Sequence, residues 1–200
     1  MVEAIEDASR RAAALTGEEG SPILRDPQLA FVTPQLKAAL DVWRTRCGAR
    51  RMPGRADMTI QELKFALPHL AFLGLVREGD RLRYKVRLMG SELDAFITPM
   101  TGRFVDEAVP ARFAEKWSAL WRPAIETRAP FRTAGRAEFR DRRSYVAETL
   151  YAPLADDGET VDALMIVSFY HLHDEDASPT AIANRLIGEI EQLGSAPRSR

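Results

Sequence analysis

A single cysteine, Cys47, stands among 200 residues, so no internal disulfide can form and the chain must be held by packing. Histidine is nearly as scarce, with three residues to serve any metal or haem. No run of about 18 apolar residues offers a membrane span, and no cleavable leader opens the chain. Neither sign of charge prevails: 28 basic residues against 29 acidic ones leave a net charge of −1, and no overall field draws nucleic acid or an anionic membrane. Recognisable catalytic devices are missing too, whether a Gly-x-Ser-x-Gly elbow, a phosphate-binding glycine loop or a dinucleotide fingerprint. Together these absences predict a soluble, cytoplasmic protein that is not an enzyme and has neither a nucleic-acid nor a membrane partner.

What is present is apolar material, 46% of the chain, enough for one buried core and too little length for two ordinary domains. Residues 1 to 32, with Gly17, Gly20, Ser21 and Pro22, read as a loosely held arm. Thr33-Pro34 starts a helix, the hydroxyl able to cap free amides and the proline at a position where its missing N–H costs nothing. Leu36, Leu40 and Trp43 then share one face. Thr59 and Glu62 form a capping box for a short helix that Pro68 should end near Leu67.

The period then changes. Residues 70–76 are an apolar run, Glu78-Gly79-Asp80 a turn, and 81–89 alternate, with Leu82, Tyr84, Val86 and Leu88 on one side. Gly90 ends this strand, Ser91 caps a helix through Phe96, and Gly102 turns the chain again. Phe113, Trp117, Leu120, Trp121 and Ile125 make a wide apolar stripe on a helix between 110 and 128, which Pro123 should kink or shorten. Three strands joined by tight turns follow, over 131–139, 145–154 and 161–170; "VDALMIVSFY" is apolar on both faces, as suits a covered central strand. Ser178-Pro179 starts a last amphipathic helix with Ile182, Leu186, Ile190 and Leu193. Strands grouped on either side of a helical crossing imply an α+β fold with an antiparallel sheet.

Four stretches, "LPHLAFLGLV" at 67–76, "YKVRLMGSEL" at 84–93, "MTGRFVDE" at 100–107 and "YAPLADDGETVDALM" at 151–165, resemble in order and content the PAS domain superfamily, specifically the stand-alone PAS-like family common in alphaproteobacteria. The pattern departs at Asp57-Met58, where Asp-Pro would be expected before the first short helix. The resemblance implies a five-stranded antiparallel sheet with the short helices and the long helix on its concave face, in a domain over 33–175. Flanking helices are expected at 34–46 and at 179–193, the second within a C-terminal helix and tail over 176–200. It further implies signalling by binding rather than turnover, and it supplies no particular ligand.

Leu88, Phe96, Phe113, Trp117, Trp121, Tyr145 and Met165 are the side chains expected to line an apolar cavity. They could hold a small, unidentified apolar ligand or simply fill the core. Glu148 is the one acid that falls on a strand near such a cavity, as a cavity enzyme would require. "HLHDED" at 171–176 gathers two imidazoles and three carboxylates, either a metal site or a solvated linker. His69 at the strand entrance is poorly placed for haem, and Cys47, beside arginines, is either a favoured thiolate or a packing residue. Arginines cluster in "RTRCGARRMPGR" at 44–55 and again at 132, 136, 140, 142 and 143. The second group would guard an exposed edge strand or, with the first, form a patch for phosphate or an acidic partner.

The function expected is a non-enzymatic sensory or regulatory module. It would act in trans through a protein partner or as a homodimer built on its terminal helices, with no cofactor beyond a small ligand. A structural adaptor with a filled core, or a small cavity enzyme using Glu148, is the alternative.

Overall fold

A computed structural model describes residues 23–79, 81–138 and 144–172. The expected helix at 179–193, residues 1–22, and His173 through Asp176 lie outside that range, as do Arg140, Arg142 and Arg143. For Arg136 and Tyr145 the backbone alone is described.

Six strands form one antiparallel sheet: β1 (Ile23–Asp26), β2 (Leu70–Glu78), β3 (Arg81–Met89), β4 (Phe131–Glu138), β5 (Ser144–Leu154) and β6 (Ala163–Leu172). Their order across the sheet is β1-β4-β5-β6-β2-β3. Helix α1 (Pro34–Cys47) precedes the main sheet, and α2 (Ser91–Phe96), α3 (Val105–Ala108) and α4 (Ala111–Thr127) form the crossing between β3 and β4. This is the α+β fold with an antiparallel sheet that the order of elements implied, with one strand more than the five expected. That strand is β1. It pairs with β4 from Ile23↔Gly135 to Asp26↔Arg132, so the arm expected over residues 1–32 is in its last part an ordered element, and β4 is not an edge.

The doubly apolar β6 lies between β5 and β2, as its composition required. Helix α1 packs on β5 and β6, burying Leu36, Ala39, Leu40 and Trp43, while the Trp43 indole N–H donates to the Pro153 carbonyl at 2.8 Å. Full burial of a leucine contributes roughly 1.5–3 kcal/mol, so Leu36 and Leu40 alone supply a large share of the anchoring of this helix. Thr33 occupies the N-cap position, yet its hydroxyl makes no capping bond. Glu148 of β5 binds just ahead of the first turn, accepting the Thr33 N–H at 2.7 Å and the Val32 N–H at 2.9 Å and placing negative charge where the helix dipole favours it.

One proline expectation is corrected, and of the two outcomes expected at Pro123 the early end is excluded. The turn of 3-10 helix at Lys64–His69 runs through Pro68 instead of stopping before it, and α4 continues four residues past Pro123 to Thr127. Each proline deletes one backbone donor, and the surrounding packing holds the helical path regardless. Gly90, not Ser91, is the N-cap of α2, and it is required for a steric reason. A Cβ there would sit 2.1 Å from the Leu67 carbonyl oxygen and 2.4 Å from that of Pro68. Gly102, at φ +85°, turns the chain so that its N–H donates to the Val86 carbonyl and the Val86 N–H donates to that of Arg103. The outer edge of β3 is thereby met by the protein's own crossing segment.

The β2–β3 pairing contains a bulge. Phe72 faces Leu88 and Leu73 faces Val86, so Arg87 is inserted without a partner. Face alternation along β3 inverts at that residue.

Candidate functional site

The face of the sheet covered by α2, α3 and α4 encloses a cavity of about 80 Å³. Its walls are Ala71, Leu73 and Val86 from the sheet, Leu93 and Ile97 from and beside α2, Met100 and Val105 from the crossing, and Trp117 and Trp121 from α4. The indoles stand 6.2 Å apart at 37°, and Tyr84 meets Trp121 edge-on at 4.7 Å, a favourable aromatic arrangement. The sheet side is less uniform. Tyr151, Ser168 and Tyr170 also line the cavity, and the Thr149 hydroxyl lies 2.9 Å from that of Ser168. Register places Thr133, Thr149 and Ser168 in one cross-strand row, so hydroxyls on three strands run under the cavity floor. Burial pushes the Tyr151 phenol up, with bonds from Thr133 and Thr149 opposing it. Tyr170 is raised further, first by burial and then by the neighbouring Tyr151. Both phenols therefore act as neutral donors and acceptors. None of the lining residues is charged, and none is histidine or cysteine.

Of the residues expected here, Trp117 and Trp121 line the cavity. Phe96 stacks on Tyr170 at 4.1 Å and Phe113 lies 6.4 Å from Trp117, each one step behind the wall. Two expectations are corrected. Leu88 belongs to the opposite face, paired with Phe72, because the bulge at Arg87 reverses the alternation. Met165 is fully buried, but it pairs with Ala152 and Phe72 on the α1 side, and its neighbour Ile166 takes the cavity position. In a strand apolar on both faces, composition could not choose between them. Tyr145 pairs through its backbone with Ala137 and Leu172. The hydroxyl row was missed, although Thr133, Thr149 and Ser168 interrupt apolar strands at matched register and could have signalled it.

Glu148 alternates away from Tyr151, on the face opposite the cavity, and so is no acid for chemistry there. It is fully buried beside Arg132, whose Nε donates to it at 2.5 Å while Arg132 Nη1 donates to Asp26 at 3.1 Å. Asp26 in turn accepts the N–H groups of Gln28 and Ala30. Arg132 was expected to guard an exposed edge; it is instead 1% exposed, enclosed by β1 and the segment leading to α1. Its Nη2 has no hydrogen-bond partner, nor has the nearby buried Nε2 of His171. Burial lowers the His171 imidazole, against the pull of Glu148. His69 stacks on Phe169 at 4.0 Å, and burial lowers it as well.

Cys47 is buried, its thiol facing the Arg51 carbonyl, and burial pushes its pKa up despite Arg50. It packs. Arginines of the 44–55 stretch are largely engaged: Arg46 with Glu62, Arg50 with Asp57 at 2.7 Å, and Arg51 with the Thr127 carbonyl at 2.9 Å. Among the described residues no group of His, Cys, Asp and Glu is placed to hold a metal, and no helix is long and apolar enough to cross a membrane.

No family model and no curated protein matches the sequence. Among solved structures, the chain is similar to one described as an RNA-binding light-oxygen-voltage receptor, with 16% identity and a TM-score of 0.39. The match covers 94% of this chain and 48% of that one, so this chain spans about half the length of that receptor.

Proposed function

We propose that the protein is a non-enzymatic sensory or regulatory module that responds to a small ligand in the cavity under α2–α4 and signals through a protein partner. One observation carries this reading: the cavity is an uncharged, aromatic-walled space with a floor of hydroxyls, built where the helical crossing meets the sheet. A ligand there would favour one packing of the crossing over another, and partner affinity would follow that shift in population. The absence of charge on the walls points to a neutral ligand with one or two hydrogen-bonding groups.

The size of the cavity favours a second reading, that of an adaptor with a filled core. At about 80 Å³ it is roughly half the volume of an engineered cavity that admits benzene. Native mass spectrometry of protein purified from its own source separates the two. A reproducible adduct lost on denaturation supports the sensor, and bare protein at every stage supports the adaptor. The same spectra test the homodimer.

A further inference from the structure

A second cavity, of about 350 Å³, opens between β2, the bulge of β3 and the turn joining β5 to β6. Four charged residues line it: Arg55, Arg87, Asp156 and Asp162. Elsewhere in the described chain arginines find carboxylates, as in Arg50–Asp57, Arg83–Asp106 and Arg132–Glu148. Here neither arginine forms an ion pair with either aspartate, although all four share one space. Arg55 stacks its guanidinium 3.7 Å over the Phe72 ring and donates to the Met58 carbonyl at 3.0 Å. Arg87, the bulge residue, is exposed and crosses the backbone at Gly74, where a Cβ would lie 2.8 Å from its Nε. The absent side chain of Gly74 is what lets this guanidinium reach the cavity.

The two aspartates are aimed by the main chain. Asp156 Oδ1 accepts the Arg55 N–H at 3.0 Å, and Asp162 Oδ2 accepts the Asp156 N–H at 2.8 Å, so each carboxylate is fixed through one oxygen. Burial pushes the Asp162 carboxyl up and the Arg55 guanidinium down. Both side chains are half-buried, Arg55 with the partial pull of Asp156, and each would gain from an opposite charge brought by a ligand.

We propose that this cavity binds a small amino-bearing anion, its carboxylate or phosphate between Arg55 and Arg87 and its N–H donors on Asp156 and Asp162. Paired guanidiniums recognise carboxylate and phosphate through forked hydrogen bonds. The four side chains sum to no net charge, so a ligand carrying both an anionic group and N–H donors satisfies them where a bare anion meets the aspartates unpaired. The volume lies at the lower end of small-molecule sites, the scale of an amino acid or a mononucleotide. Both carry the required chemistry, the nucleotide through the N–H groups of its base.

The test titrates the full chain with L-glutamate, GMP and inorganic phosphate by isothermal calorimetry. Saturable binding of glutamate or GMP is expected, with phosphate weaker by about tenfold or more, and whichever amino-bearing probe binds identifies the source. Arg87→Gln and Asp162→Asn should each weaken that binding by about tenfold with an unchanged circular dichroism spectrum. Should Asp162→Asn disturb the turn, Arg87→Gln at its exposed site still decides. Absence of saturable binding by both amino-bearing probes, equal binding by phosphate, or full affinity in Arg87→Gln would each overturn the proposal.

Discussion

Replacing Arg132 by methionine removes a guanidinium that is 1% exposed and leaves Glu148, fully buried, with no cation beside it. Breaking a buried ion pair from one side costs about 3–5 kcal/mol, because the remaining charge stays desolvated. Against a total stability of about 5–15 kcal/mol, that is a large fraction. Glu148→Gln strikes the same cluster from the other side. Arg132 retains Asp26, but the Val32 and Thr33 amides must share one carbonyl oxygen, so a loss of about 3 kcal/mol is expected there too. The double variant should lose about 2 kcal/mol less than the sum, since each single change already removes the shared bond. Urea unfolding of the four proteins gives this coupling. Hydrogen exchange adds a local readout: Glu148→Gln should expose the Val32 and Thr33 amides before global unfolding. Single-variant losses below about 1 kcal/mol, or additive effects, would refute the argument that this cluster clips the leading segment onto the sheet.

Gly90→Ala places a Cβ 2.1 Å from a backbone oxygen and should cost about 3 kcal/mol or more, whereas Gly102→Ala, with open space around it, should cost about 1 kcal/mol from its positive φ alone; thermal melts compare them directly. Ile166→Ala enlarges the cavity under α2–α4 and should allow benzene binding seen as NMR shifts of Trp117 and Trp121, while Met165→Ala, on the opposite face, should not. His69 and His171 are both held below the ordinary imidazole value of 6.5, chiefly by burial. Their contribution is therefore fully present above that value and is lost as pH falls through it, because the unfolded chain takes up the protons first. The urea midpoint should drop between about pH 7.5 and pH 5.5, and His69→Phe, which keeps the stack on Phe169, should flatten the drop; a midpoint indifferent to pH over that range would contradict it.

Much of the main sheet was legible because alternation and turn residues report local geometry. Gly79 and Gly158 sit at positive φ where turns were read, and the α4 stripe places Trp117 and Trp121 against the sheet as its spacing required. What escaped depended on partners far apart in the chain. β1 is four residues long and becomes a strand only by pairing with β4 more than a hundred positions later. Glu148 and Arg132 read as a catalytic acid and an edge charge, and became a buried pair once the segment before α1 closed over them. Leu88 was misplaced for a local reason: adjacent apolar residues Leu88 and Met89 break the alternation, which was the mark of the bulge. The Arg55–Arg87–Asp156–Asp162 cavity draws on three separate stretches, and no spacing links Arg55 and Arg87 to the turn that carries both aspartates.

The extra residue at Arg87 also sets how this protein can change. Upstream of it Tyr84 and Val86 look toward the helical crossing, and downstream of it Met89 does, so the strand is two half-strands joined out of phase. Substitution at Arg87 leaves both halves where they are. Deleting Arg87 itself would keep Val86 opposite Leu73 and Leu88 opposite Phe72, so the faces would survive and only the bulge and its guanidinium would be lost. The pairing of the strand therefore makes no demand on this position, and what the position supplies is the guanidinium that lines the second cavity.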